Sequence, residues 1–262
     1  MIIGGRQMCL LIGVVIASVV SGCTTEYNLA TQKQETLMYG SEKEVKIGDK
    51  IAPKIEARYD IVTEIDINER IDRIFKRIVA VCDRKDLVYF VKIFDEDPIN
   101  AVSLPGGYVY LFRGLIDKAE SDDQIAGVIA HEIGHITAKH GIKRMQNAYA
   151  AMAVQLAAMS SRGANVAGGT SLALTSLFVE HTQQAEFEAD RLSVKYLKKA
   201  GYDPTAMADF LRIVKREKEK APLRRFSYWK THPNISQRIS VVNQAVTGKL
   251  EFRDYLNLTG ER

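Results

Sequence analysis

Apolar residues recur at intervals of three and four across 67–82, where Ile67, Ile71, Ile74, Phe75, Ile78 and Val79 share one face. That period predicts an amphipathic helix laid on a core. Over 121–141 the same period returns in Ile125, Val128, Ile129, Ile133 and Ile136. Ser121 is placed to cap that stretch, and Asp122 and Asp123 put negative charge at the positive end of the helix dipole. It predicts one buried helix. The segment 41–59 opens with Ser41 as a cap and Glu42-Lys43-Glu44, then continues in a helical pattern that Pro53 kinks or stops.

Between these runs the pattern changes. Residues 87–94 alternate and are rich in Val, Tyr and Phe, the signal of a strand, and 100–112 holds two short extended runs around Pro105-Gly106-Gly107. A small antiparallel or mixed sheet ahead of the 121–141 helix follows, so the fold class is α+β, mainly helical. If Asn100-Ala101 or Tyr108-Val109-Tyr110 lies at the sheet edge, a substrate peptide can add there as a further strand. An interior strand offers no such edge. Later, 142–160 and 170–179 are apolar around a small-residue stretch at 162–169. They predict a helical hairpin, either packed on the core or hinged at Gly163, Gly168 and Gly169 as a lid or docking surface. Neither segment reaches the ~20 apolar residues of a membrane-spanning helix.

The buried 121–141 helix contains His131-Glu132-Ile133-Gly134-His135. Residues four apart on a helix lie about 40° apart around the axis and roughly 6 Å along it, so both imidazoles reach one metal ion. Glu132 falls beside that site without competing as a ligand, placed to take a proton from water whose pKa the metal lowers to about 7. Flanking Ile, Val and Ala residues bury this face, which argues against two chance surface histidines. The best third ligand is Glu186 in Glu186-Phe187-Glu188-Ala189-Asp190. Asp190, one turn on, shares its face and can accept from a ligand histidine, while Glu188 points elsewhere as a surface or salt-bridging residue. His140, about 140° around the helix from His135, faces away. Position 141, where an extended three-histidine motif needs His, is Gly141. His181 is left unassigned. Two histidines and one glutamate fit Zn2+ best.

Composition narrows the setting. With 262 residues, 46% of them hydrophobic, the chain can bury one substantial core, and a net charge of +4 carries no long one-sign block that calls for nucleic acid. Cys9, Cys23 and Cys82 are too scattered for a zinc ribbon or a disulfide framework. Arg6 precedes an uncharged run, 8–20, suited to a signal peptide, and Val20-Ser21-Gly22-Cys23 resembles the lipobox of bacterial lipoproteins. On that reading 1–22 is a signal peptide, Cys23 is lipidated, 23–40 is a polar tether, 41–250 is the domain and 251–262 is a tail. Thr24 after the cysteine favours the inner leaflet of the outer membrane.

Taken together, the metal motif, the 186–190 run, the Asn100-Ala101 to Pro105-Gly106-Gly107 segment, and Thr231-His232-Pro233 with Arg238 resemble the HtpX and CAAX-prenyl-endopeptidase type of zinc peptidase. The resemblance covers about residues 40–247, and within the family it is to the periplasmic lipoproteins of the LoiP and BepA kind. It implies a gluzincin domain with one zinc, ligands His131, His135 and Glu186, a general base at Glu132 and an orienting role for Asp190. It also implies a site-facing role for His232, either stabilising the oxyanion or occupying the open metal position at rest, with Arg238 holding the arrangement. His232-Pro233 also reads simply as the start of a helix over 234–246. The expected function is a lipid-anchored periplasmic zinc endopeptidase acting on unfolded or misassembled envelope proteins. The rival is an outer-membrane assembly factor or chaperone, working with the assembly machinery, whose zinc site is latent or structural.

Overall fold

A hairpin of β1 (Thr24–Asn28) and β2 (Lys33–Leu37) is followed by helices α1 (Ser41–Glu56) and α2 (Ile65–Val79) and by strands β3 (Phe90–Phe94), β4 (Ala101–Leu104) and β5 (Tyr108–Phe112). Helices α3 (Arg113–Lys118), α4 (Asp122–Thr137), α5 (His140–Ser160), α6 (Gln183–Ala200), α7 (Ala206–Lys220), α8 (Tyr228–Thr231) and α9 (Ile235–Thr247) complete the order. This computed structural model describes residues 24–160, 181–222 and 227–249, with 151–160 as helical backbone alone. The expected signal peptide, Cys23, the second arm of the expected hairpin and the expected tail lie outside the described residues.

Helix α4 is the centre of the molecule. Its side chains are buried from Gln124 to Thr137, and α2, α6, α7 and β4 pack around it. Ser121 caps it as expected, Oγ accepting from Gln124 N at 3.3 Å. From α2, Ile71, Ile74, Phe75 and Ile78 enter the core beside Ile125, Val128 and Ile129. Each such side chain contributes about 1.5–3 kcal/mol by burial. Among the described residues no helix is long and apolar enough to cross a membrane.

The sheet is mixed, in the order β3-β5-β4, with β3 parallel and β4 antiparallel to β5. The Pro-Gly-Gly turn forms as expected, with Gly106 at φ 84° and Gly107 at φ 99°. A Cβ on Gly107 would stand 2.2 Å from Val88 O, so only glycine lets β5 slide in beside the end of β3. That insertion corrects one expectation: Tyr108, Val109 and Tyr110 belong to the central strand, paired on both sides, and offer no edge to a substrate. Asn100 and Ala101 stand at the other strand, β4, which is an edge.

Two further expectations change. The supposed tether over 24–40 is a packed hairpin: Leu37 is buried, Asn28 Nδ2 donates to Thr137 O at 3.1 Å, and Lys143 Nζ reaches Glu35 at 2.7 Å. Apart from Tyr27 and Leu29 its exposed residues are polar, which is what made it read as linker. The metal-motif helix also stops at Thr137 rather than running to 141. Its end carbonyls are taken by remote donors, Arg84 Nη1 to Ile136 O at 3.2 Å and Asn28 to Thr137 O. Lys139 then turns left-handed at φ 57° and the chain doubles back into α5. Arg84 is itself fixed by Glu44 at 2.9 Å and by Ser41 Oγ, so Ser41 serves this network while Gly40 occupies the N-cap of α1. Pro53 sits within the last turn of α1, which stops at Glu56, and its carbonyl still accepts from Ala57 N at 3.0 Å.

Candidate metal centre

The histidines of α4 meet the carboxylates of α6 where the two helices touch at Gly134. A Cβ there would come within 3.1 Å of Ala189 O and 3.2 Å of Ala189 Cα, so the missing side chain sets how closely Glu186 approaches. The Nε2 atoms of His131 and His135 are 3.0 Å apart, and Glu186 lies 3.3 Å from His135 Nε2 and 3.6 Å from His131 Nε2. A tetrahedral zinc with bonds of about 2.0–2.1 Å has ligand-to-ligand edges of about 3.3–3.4 Å. The observed separations bracket that value. His232 closes the group, its Nδ1 at 3.1 and 3.2 Å from the two Glu186 oxygens, and one donor atom from each of the four residues lies within 4.8 Å of the others.

Glu132 supplies a second test of whether a cation belongs here. It is fully buried, neither carboxylate oxygen has a hydrogen-bond partner, and His232 Nε2 stands 3.5 Å from Oε1. A buried carboxylate left so costs several kcal/mol, and a cation with its polar ligands offsets that cost. The donor set and the orphaned carboxylate fit a metal ion.

Around the donors lies a buried charge network. Asp190 Oδ1 is 2.9 Å from His131 Nδ1, as the one-turn spacing from Glu186 predicts. Arg238, wholly buried, donates from Nε to Asp190 Oδ2 at 2.9 Å and from Nη2 to Oδ1 at 2.8 Å. Its Nη1 pairs with Glu186 Oε2 at 2.9 Å. Burial alone would raise Glu186 and Asp190, but neighbouring positive charge, with Arg238 on both, holds Glu186 well below the usual carboxylate range and lowers Asp190. Burial and Arg238 both disfavour a proton on His131, yet Asp190 and Glu186 outweigh them and lift it to about 9. His135, by contrast, is pushed well down by burial.

Sequence reasoning missed His140, His181 and Tyr228 as neighbours of the site. His140 does not face away: because the helix ends before it and Lys139 reverses the chain, its Nδ1 comes 2.8 Å from His135 Nδ1. Glu188 is salt-bridging as expected, and its partner is that histidine, at 3.1 Å from Nε2. The His181 ring lies tilted against that of His135, by 33°, with centroids 4.0 Å apart. Tyr228 lies 4.3 Å from the His232 ring and its hydroxyl accepts from Arg238 at 3.2 Å. Only the i+5 position of His140, close in sequence to the motif, was a usable signal, and it needed the helix end to be known.

A profile of peptidase family M48 matches residues 66–246. The chain is 28% identical over 210 residues to the beta-barrel assembly-enhancing protease of Escherichia coli, covering 76% of this chain and 43% of that protein. It is 30% identical over 154 residues to the Escherichia coli metalloprotease LoiP, covering 56% of this chain and 58% of LoiP. With the mitochondrial metalloendopeptidase OMA1 of Schizosaccharomyces pombe it shares 27% identity over 177 residues, 66% of this chain and 51% of OMA1. The chain thus spans less than half of the assembly-enhancing protease it matches.

Proposed function

The chain belongs to peptidase family M48, and from that premise we propose that it is a zinc endopeptidase of the bacterial envelope, anchored by lipid on Cys23. The observation that carries the reading is the convergence of His131, His135 and Glu186 at tetrahedral spacing beside Glu132, whose oxygens have no hydrogen-bond partner. His131, His135 and Glu186 would hold the ion. Bound there, zinc supplies Lewis acidity toward a water and toward the scissile carbonyl.

The remaining chemistry belongs to side chains. Glu132 takes the water proton on a carboxylate oxygen and passes it to the departing amine, a general acid–base contribution of about 10²–10⁴-fold. Asp190 accepts from His131 Nδ1 and fixes that ring, and Arg238 balances the negative charge of Asp190 and Glu186. His232, held against Glu186 and facing Glu132, occupies the space where substrate must enter and withdraws when it binds.

Substrate backbone pairs with the outer edge of β4. Asn100 O accepts from Phe112 N at 3.0 Å, so residues 100, 102 and 104 face β5 while 101 and 103 face outward. Asn100 Oδ1 accepts from the Ala101 N–H at 3.0 Å, which leaves Ser103 as the outward donor. Main-chain pairing of this kind is indifferent to side chains and suits extended, unfolded polypeptide. Similarity to the assembly-enhancing protease and LoiP supports unfolded or misassembled envelope proteins as substrates.

One observation favours a second reading. His131, Glu132, Glu186 and His232 are each at most 1% exposed, a closed arrangement that suits an outer-membrane assembly factor with a latent site. Metal analysis and cleavage of an unfolded casein by the full chain separate the two. Near one zinc per chain, with cleavage lost to a chelator and restored by zinc, supports the peptidase. Zinc without cleavage, including in His232→Ala, supports the assembly factor.

A further inference from the structure

The two ligand histidines are steadied in different ways. His131 has a carboxylate directly on its Nδ1, Asp190 at 2.9 Å. His135 has none. Its Nδ1 instead meets the ring of His140 at 2.8 Å, and the far nitrogen of His140 meets Glu188 at 3.1 Å. His140 is 6% exposed and enters this position because Lys139, at φ 57°, turns the chain back at the end of α4.

Hydrogen-bond direction fixes the protons along this chain of groups. A carboxylate only accepts, so His140 Nε2 carries the hydrogen that Glu188 receives. The Nδ1 of a neutral His140 then offers a lone pair, and His135 Nδ1 must be the donor to it. His135 is left with its Nε2 lone pair turned toward Glu186 and His131, as a metal ligand requires.

We propose that His140 and Glu188 are positioning residues that set the tautomer and ring orientation of His135, a relayed counterpart of the direct Asp190–His131 contact. The proposal rests on the metal reading of His131, His135 and Glu186. Neither residue touches substrate. Each acts through His135, and the two act as one unit.

The test is zinc affinity of the full chain, measured by competition with a chromophoric chelator, for Glu188→Gln, His140→Leu, His140→Asn, the Glu188→Gln/His140→Leu pair and Glu186→Gln. Nitrogen-15 spectra of the imidazoles in the zinc-loaded protein report the tautomer. Glu188→Gln and His140→Leu are expected to weaken zinc by about 10–100-fold, the range for loss of a group that orients a ligand. His140→Asn keeps an acceptor near the Nδ1 position and is expected to recover most of the loss. The double variant is expected to be no worse than His140→Leu, since both changes break one relay. Unchanged zinc affinity in Glu188→Gln, with Glu186→Gln weakened, overturns the relay and leaves the metal site standing. So does additive loss in the double variant, or an Nε2-protonated His135 in the zinc-loaded wild type. Zinc affinity unchanged in Glu186→Gln removes the metal reading itself. If His140→Leu does not fold, Glu188→Gln and the spectra decide alone, because Glu188 is 22% exposed and its change leaves the packing intact.

Discussion

Replacing Arg238 by Met removes the guanidinium that pairs with the buried carboxylates of Asp190 and Glu186. In the folded protein Asp190 would lose both hydrogen bonds it accepts, at 2.9 and 2.8 Å, and Glu186 its ion pair at 2.9 Å, at positions that are fully buried. Breaking a buried pair by removing one partner costs about 3–5 kcal/mol. Met fills comparable volume, so little of the loss comes from a cavity. For a domain of this size 1 kcal/mol moves the melting temperature by about 2–4 °C, which places the Arg238→Met melt roughly 6–20 °C below wild type. A divalent ion at Glu186 offsets part of the uncompensated charge, so the deficit shrinks when zinc is added. Arg238→Lys keeps the charge but not the fork and falls between the two. Circular-dichroism melts of the three proteins, with and without zinc, measure this. A melt of Arg238→Met within 2 °C of wild type in the absence of metal would refute the charge-balance argument.

Three other outcomes follow from the same geometry. Gly134→Val places a branched side chain against Ala189 O and Leu192, where even a Cβ is 3.1 Å and 3.3 Å away. It is expected to cost about 1–3 kcal/mol by overpacking and to weaken zinc by moving Glu186 away, seen in melts and chelator competition. Zinc uptake is expected to displace one proton, because His131 holds one up to about pH 9 in the metal-free chain. Apparent affinity therefore rises about tenfold per pH unit up to that value and flattens above it; a flat profile between pH 7 and 9 contradicts the Asp190–His131 account. Ser103→Pro removes the outward donor of an edge strand, a position that tolerates proline, and is expected to abolish cleavage while zinc content and melting hold.

Much of the site was readable because its spacing is local. His131 and His135 follow from a one-turn repeat on a helix whose apolar face was plain, Glu186 and Asp190 from the same repeat further on, and both pairs lie within helices, Asp122–Thr137 and Gln183–Ala200. His140 was misread because geometry was extended past a helix end that is fixed by Asn28 and Arg84, far away in sequence. The 24–37 hairpin was hidden for a related reason: its inward contacts are two buried residues, Asn28 and Leu37, in a mostly polar stretch. Strand order escaped because the alternation in 100–112 marks two strands and their turn but not which one a third strand joins. That choice rests on Gly107 passing close to Val88.

The central claim is that Glu132 is the proton-transferring base of a zinc peptidase and takes no part in holding the metal. The most direct measurement is zinc content and casein cleavage of Glu132→Gln beside wild type. The expected result is one zinc per chain in both, with cleavage lower in the variant by at least about 10²-fold. Cleavage at the wild-type rate in zinc-loaded Glu132→Gln, or loss of zinc from it, would contradict the account.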